Sequence, residues 1–169
     1  MTVLRVISET QCIVGDQHYR SAVGRGGFTD DKHEGDGATP IGVWPMRQVL
    51  YRPDRLNRPE TDLPTHEIKP IDGWCDDPTH ADYNKPVLLP FAASHEVLWR
   101  EDHLYNIVVV LAHNDAPPVP GRGSAIFFHC AKAEFTTTEG CVALAQNDVL
   151  SVLKLCGPGS VVSVEPQTK

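Results

Sequence analysis

The stretch that decides the fold and the chemistry of this chain is FFHCAKAEFTTTEGCVAL, from Phe127 to Leu144. It places His129 twelve positions before Cys141, with four apolar residues, Ala125 to Phe128, arranged as in a buried strand. The chain then returns to the cysteine through threonines and a glycine. A thiol and an imidazole that can take its proton are the two groups that a Cys-His nucleophile site requires. The sequence therefore predicts Cys141 as a nucleophile and His129 as its general base.

The residues around Cys141 extend this prediction. A free cysteine has a pKa of about 8.5, and an adjacent histidine can hold the pair as thiolate and imidazolium. Gly140 leaves room for a tight turn and for the approach of a substrate. The backbone N–H groups of Gly140 and Cys141 are candidate donors to the oxyanion that forms during acyl transfer. Thr138 is expected either to bond within this loop or to contact substrate.

Length and composition favour one compact domain over residues 1–169. The net charge is −7 and there is no basic run, which argues against nucleic acid as a partner. No apolar stretch approaches the roughly 20 residues that a membrane-spanning helix needs, and no signal peptide is visible. We expect a monomer that acts on a peptide or another small substrate.

Five cysteines leave at least one thiol unpaired in any intramolecular disulfide scheme, and Cys141 is the thiol expected to be free. Cys130 follows His129 directly, which suggests a metal site completed by Cys141 or His113. Adjacent residues on a strand point to opposite faces, however, and no spacing typical of zinc ligands is present. We therefore expect no metal and no cofactor.

Most of the chain alternates as short strands do, so the predicted class is mainly β with one helix. Pro45 suggests that the strand around Thr39–Met46 lies at a sheet edge. Residues 51–66 and 72–84 are predicted to be long loops. Asn147 is the expected N-cap of the helix, which ends before Gly157-Pro158-Gly159.

Two further segments could contact a peptide. The loop 72–84 combines aromatic and polar groups, although aromatic side chains more often belong to a core. His113 and Asn114 end a strand and could orient His129, bind a donor peptide, or form only a turn. The candidate binding residues in these segments are Trp74, Tyr83, Asn84, His113 and Asn114.

The order His129…Thr138-x-Gly140-Cys141-Val142-x-Leu144, followed by Asn147-Asp148 and a helix, resembles the L,D-transpeptidase (YkuD-like) catalytic domain family. That family has a histidine on a strand followed by Ser/Thr-x-Gly-Cys. The glycine-rich segment Gly35–Gly42 resembles a second motif of the same domain. The resemblance implies a β-sandwich of mostly antiparallel strands with long loops and one helix after the catalytic cysteine loop.

The resemblance also implies an activity on peptidoglycan, in the periplasm or cell wall. Cys141 would attack a stem-peptide amide and form a thioester, which the side-chain amine of a diaminopimelate residue would resolve. The cross-link would join two third residues, or L-alanine at position one to diaminopimelate at position three. Thr138, Glu139 and Arg25 are further candidates for contact with the stem peptides.

One position departs from the family pattern. Members commonly carry arginine two residues after the cysteine, where this chain has Ala143. Arg25, Lys132 or Arg122 could take over its contact with a substrate carboxylate. Two alternatives stay open: an L,D-carboxypeptidase or endopeptidase in which water resolves the thioester, and a non-catalytic domain that binds muropeptides.

Overall fold

The computed structural model describes residues 1–166. These residues form fourteen strands and one helix, α1, over Gln146–Leu153. The strands are β1 Val3–Ser8, β2 Gln11–Val14, β3 Gln17–Ala22, β4 Phe28–Thr29, β5 Thr39–Pro40, β6 Gly42–Tyr51, β7 Thr65–Glu67, β8 Asp72–Cys75, β9 Pro86–Leu88, β10 His95–Val97, β11 Ile107–Leu111, β12 Phe127–Cys130, β13 Val142–Leu144 and β14 Val161–Val164.

The main sheet closes on itself. Its order is β11-β12-β13-β3-β2-β1-β14-β6-β7, and an additional pairing of β11 with β6 joins the two ends of the eight-strand ring. Closure pairs both edges of each strand in the ring, so no long unpaired edge remains there. The result is a barrel-like sheet with β7 attached to the outside of β6.

The predicted β-sandwich of mostly antiparallel strands is therefore only partly right. The mainly β class is confirmed, and so is the single helix after the cysteine loop. The sheet is mixed, however, because β1 pairs in parallel with β14, β12 with β13, and β6 with β7. The closing contacts come from strands far apart in sequence, which the local alternation of residues does not reveal.

Alternation along the barrel strands separates two apolar clusters. Phe128 and Cys130 of β12 belong to the larger cluster in the interior, together with the buried face of α1. Phe127 and His129, which alternate with these residues along β12, face outward. Phe127 packs with Cys141 and Trp74 in the second cluster. As predicted, His129 and Cys130 point to opposite sides of the strand.

The outer cluster is covered by a three-stranded sheet, β10-β8-β9. Its central strand, Asp72–Cys75, lies in the segment that we predicted to be a loop, and this part of the prediction is wrong. As a whole β6 lies inside the ring between β14 and β11, but residues 42–45 pair only with β14, so Pro45 stands where one side of β6 has no ladder partner. Pro45 pairs with Val161 of β14, and the next ladder residue, Met46, pairs with Leu111 of β11. The proline thus directly precedes the residues of β6 that pair with β11.

The helix begins two residues earlier than predicted. Its N-cap is Ala145, which makes no side-chain capping bond, and Asn147 lies within the first turn. Asp148 does stand in that turn, where a negative charge favours the helix dipole. Val149, Val152 and Leu153 are buried against the barrel interior, so packing rather than capping stabilises this short helix.

Candidate active site

Cys141 lies just before β13 and faces the outer cluster. It is 8% exposed, and all five cysteines of the chain are free thiols. Its Sγ donates to the carbonyl oxygen of Ala125 at 3.2 Å and accepts from the backbone N–H of Phe127 at 3.4 Å. The thiol is therefore held against the segment that leads into β12.

His129 lies on the neighbouring strand and faces the same side. Its register partner across the parallel ladder is Ala143, two residues after Cys141. Cys141 itself lies outside this ladder, one residue before β13 begins. The imidazole Nδ1 bonds to the carbonyl oxygen of Cys130 at 2.8 Å. A carbonyl can only accept, so Nδ1 carries the proton and Nε2 is left as the basic nitrogen.

One cavity of about 410 Å³ connects the two side chains. Its wall consists of the cysteine loop, the end of β12, the segment around β10, and the loop before β5. The charged and polar residues on this wall are Lys32, Glu34, Asp76, Glu96, Arg100, Tyr105, Ser124, His129, Lys132, Thr136, Thr137, Thr138, Glu139 and Cys141. Both signs of charge are present, as suits a peptide that carries amines and carboxylates.

Burial keeps the thiol and the imidazole neutral. It raises the pKa of Cys141 to about 12, and the charge of Glu96 adds to this effect. Burial lowers the pKa of His129 to about 4, and the charge of Arg100 lowers it further. The expected thiolate–imidazolium pair is therefore not the state that this environment favours. A neutral imidazole is nevertheless the form that can accept the thiol proton.

Tyr105 links the two groups. Its ring packs edge-on against His129 with centroids 5.3 Å apart. Its hydroxyl donates to Glu96. Burial raises the pKa of this tyrosine, and the charges of Glu96 and of an ionised Cys141 add to the effect. Burial raises the pKa of Glu96 as well. Tyr105 lies in the turn before β11, and nothing in the sequence around it distinguished it from a core aromatic.

The turn before Cys141 is fixed by two threonines. Thr138 Oγ1 donates to the Cys141 carbonyl at 2.7 Å and accepts from the Gly140 N–H at 3.1 Å. Thr39 Oγ1 donates to the Gly140 carbonyl at 2.9 Å. Gly140 has φ +134°, and a Cβ there would stand 2.9 Å from the carbonyl oxygen of Ala38. Only glycine fits this position without strain, and its N–H, one of the two predicted oxyanion donors, is already engaged.

Trp74, Tyr83 and Asn84 lie behind the cavity wall instead of on it. Asn84 Oδ1 accepts from Trp74 Nε1 and from the Ala125 N–H, each at 3.0 Å. Ala125 is the residue whose carbonyl receives the Cys141 thiol. Tyr83 accepts from the Gly123 N–H at 3.0 Å and donates to Glu34. These three residues support the site from behind and do not line the cavity.

The other predicted binding residues divide in the same way. Glu139 lines the cavity. Arg25 lies outside the cavity, and its Nε donates to Glu139 Oε2 at 2.9 Å. His113 is buried with Nδ1 unpartnered and packs edge-on against Trp44. Asn114 closes its own loop by bonds to Val119 and Gly123. Neither His113 nor Asn114 lines the cavity with Cys141.

Ala143 is buried and lines the cavity beside His129. Of the three cations suggested as replacements for the family arginine, only Lys132 reaches this cavity. Arg122 pairs with Asp31 at 2.9 Å, outside it. Lys32 and Arg100 are further lining cations that the sequence interpretation missed. Lys32 stands three residues before the Gly35–Gly42 motif, and that proximity was the one available signal.

A comparison with protein-family models places these observations in a family. The model of the L,D-transpeptidase catalytic domain, YkuD, matches residues 5–164. The chain belongs to the YkuD family. No curated protein and no solved structure matches it.

Membership of the YkuD family implies a cell-wall role and a peptidoglycan substrate. The matched region contains both motifs on which the resemblance was based. Within residues 1–166, no helix is long and apolar enough to cross a membrane. The same residues contain no group of three or more His, Cys, Asp or Glu side chains suited to a metal ion.

Proposed function

We propose that this chain is a cysteine-dependent L,D-transpeptidase that cross-links peptidoglycan stem peptides. The observation that carries the proposal is the shared cavity of Cys141 and His129, within a chain that the YkuD model matches over residues 5–164. The buried thiol and the neutral imidazole with a basic Nε2 are the pair that nucleophilic acyl transfer needs.

The reaction proceeds in two halves. Cys141 Sγ attacks the carbonyl carbon of a donor amide while its proton passes to His129 Nε2. The imidazolium then gives that proton to the leaving amine as the C–N bond breaks, and a thioester remains on Sγ. In the second half the neutral form of the acceptor amine attacks the thioester carbonyl carbon while His129 takes its proton. The imidazolium returns that proton to Sγ as the C–S bond breaks, so that a new amide forms and the Cys141 thiol is regenerated.

The charge distribution supports transfer to an amine. Glu34, Asp76 and Glu139 line the cavity that contains Cys141. Such carboxylates attract a cationic amine and raise its local concentration near the thioester. Water has no comparable electrostatic advantage. Hydrolysis to a shortened stem peptide is the competing outcome of the same intermediate.

The surroundings of Ala143 favour a donor residue with a small apolar side chain. Ala22, Ala131 and Ala143 form a small buried cluster, and two of its members line the cavity. An arginine at this position could bind the carboxylate of a diaminopimelate donor, whereas alanine offers only apolar contact. We therefore propose that the L-alanine at position one of the stem is the acyl donor, giving 1–3 links in preference to 3–3 links.

The experiment is mass spectrometry of muropeptides after incubation of the protein with purified peptidoglycan. Cys141→Ala is the inactive variant, and Cys130→Ala is a matched control that removes a buried thiol facing the barrel interior. We expect new dimers with the wild type and with Cys130→Ala, and none with Cys141→Ala. Fragmentation distinguishes 1–3 from 3–3 links. Shortened monomers without dimers would identify a hydrolase, and unchanged muropeptides would refute an enzymatic role on this substrate.

A further inference from the structure

Lys32 is a buried cation beside the nucleophile loop. Its side chain is 7% exposed, its ammonium donates to Asp36 Oδ1, and it lines the same cavity as Cys141 and His129. A lysine is seldom buried so completely unless its charge is paired and used. The two-step reaction described above assigns it no part.

Two glycines leave space for this side chain. A Cβ on Gly123 would stand 3.0 Å from Lys32 Cγ, and a Cβ on Gly140 would stand 3.4 Å from Lys32 Nζ. Both glycines have positive φ, at +101° and +134°, respectively. The aliphatic part of the Lys32 side chain therefore passes along Gly123, and its ammonium lies next to Gly140, the residue that precedes Cys141.

Asp36 fixes the ammonium in this place. Its Oδ2 accepts from the His33 N–H at 2.8 Å, and its Oδ1 accepts from the Ala38 N–H at 2.9 Å. These backbone bonds, together with Lys32, hold the pKa of Asp36 below its ordinary value even though burial acts to raise it. The carboxylate thus remains charged and offsets the cost of burying the lysine.

The charges that face Cys141 come from several elements. Burial and the charge of Glu96 oppose the thiolate, whereas the Phe127 N–H and the charge of Lys32 favour it. Glu34, Asp76 and Glu139 line the cavity as further carboxylates, and Arg100, Lys132 and His129 as further basic groups. The Lys32 ammonium lies beside Gly140 and lowers the pKa of the Cys141 thiol, while the Gly140 N–H is already bound to Thr138.

We infer that Lys32 is a positioning residue of this site: held by Asp36, its ammonium stabilises the negative charge that forms on Cys141 when the thiol proton moves to His129. Lys32 gives up no proton in this step. The proton leaves Sγ and binds His129 Nε2, and the electron pair stays on sulfur. The inference concerns the thiol itself, so it can be tested without peptidoglycan. If the ammonium also stabilises the oxyanion formed from a stem-peptide donor, that role rests on the proposed function.

The test is the pH profile of Cys141 alkylation by iodoacetamide, in which the thiolate displaces iodide. Peptide mass spectrometry assigns the label to Cys141 among the five thiols. In Lys32→Met we expect alkylation about tenfold slower at a given pH, because a thiolate pKa higher by about one unit reduces the thiolate fraction tenfold. Lys32→Gln can still bond to Asp36 but carries no charge, and it should show the same loss. It takes the place of Lys32→Met if that variant does not fold. Lys154→Met removes an exposed lysine charge outside this cavity and should leave the profile unchanged.

Iodoacetate distinguishes this role from simple attraction of carboxylates. If Lys32 only bound anionic groups, the neutral variants would lose reactivity toward iodoacetate and keep it toward iodoacetamide. If Lys32 were only structural, both variants would melt at lower temperature with the alkylation profile unchanged. Either result would overturn the inference. A wild type that alkylates as expected but forms no muropeptide dimers would refute the proposed substrate and leave the role of Lys32 intact.

Discussion

The burial of His129 and His113 as neutral imidazoles makes the folded protein less stable in acid. Burial lowers the pKa of both His129 and His113 to about 4. At about pH 5 an unfolded histidine, with a pKa of about 6.5, is protonated, whereas these two stay neutral in the folded protein. Protons then favour the unfolded chain, so stability falls as the pH drops from about 6.5 to about 4. The 1.5 pH units between 6.5 and 5 correspond to about 2 kcal/mol for each histidine, or about 4 kcal/mol together.

Urea unfolding at about pH 7 and about pH 5 measures this difference. Glu96 opposes it, because a carboxyl with a raised pKa takes up its proton in the folded state and stabilises the protein in acid. Variants separate the contributions. His129→Gln should reduce the pH dependence by about 2 kcal/mol, and His113→Phe should do the same. If His129→Gln retained the full difference between the two pH values, His129 would not be a neutral buried base.

Three further outcomes are expected. The rate of acyl-enzyme formation, followed by stopped-flow with a stem-peptide donor, should lose activity in acid near pH 4 instead of near 6.5, because the pKa of His129 is lowered to about 4 by burial. Asn84→Ala should lower the free energy of unfolding by about 2–3 kcal/mol in urea titrations, since it leaves Trp74 Nε1 and the Ala125 N–H without their acceptor; an unchanged midpoint would contradict this. Gly140→Ala should destabilise the protein by about 1–3 kcal/mol because Gly140 has a positive φ and lies close to the Ala38 carbonyl. An unchanged melting temperature, followed by circular dichroism, would contradict this.

The placement of His129 and Cys141 in one cavity was predictable because its signals are local. A short apolar run delivers His129 on a strand, and the Thr138–Cys141 segment has the glycine and hydroxyl that its turn uses. The alternation of residues on a strand also predicted that Cys130 would face away from His129. Each of these depends on neighbours within a few positions, which a single sequence displays.

The rest of the site depends on long-range packing. Barrel closure brings β11 against both β6 and β12, and this places Tyr105 beside His129. Lys32 reaches the cysteine loop across more than one hundred residues of sequence, through space left by two glycines. Trp74 and Asn84 had the composition of a binding loop, but the small sheet turns them toward the barrel, where they support Ala125. Strand alternation and turn composition contain no information about such contacts.

The most direct test of the central claim is the intact mass of the protein after brief mixing with a stem-peptide donor and acid quenching. The account predicts an added mass equal to the acyl fragment, located on Cys141, absent from Cys141→Ala and discharged when an acceptor amine is added. An adduct on another residue, or dimer formation with no adduct on Cys141 at any mixing time, would contradict the proposed thioester mechanism.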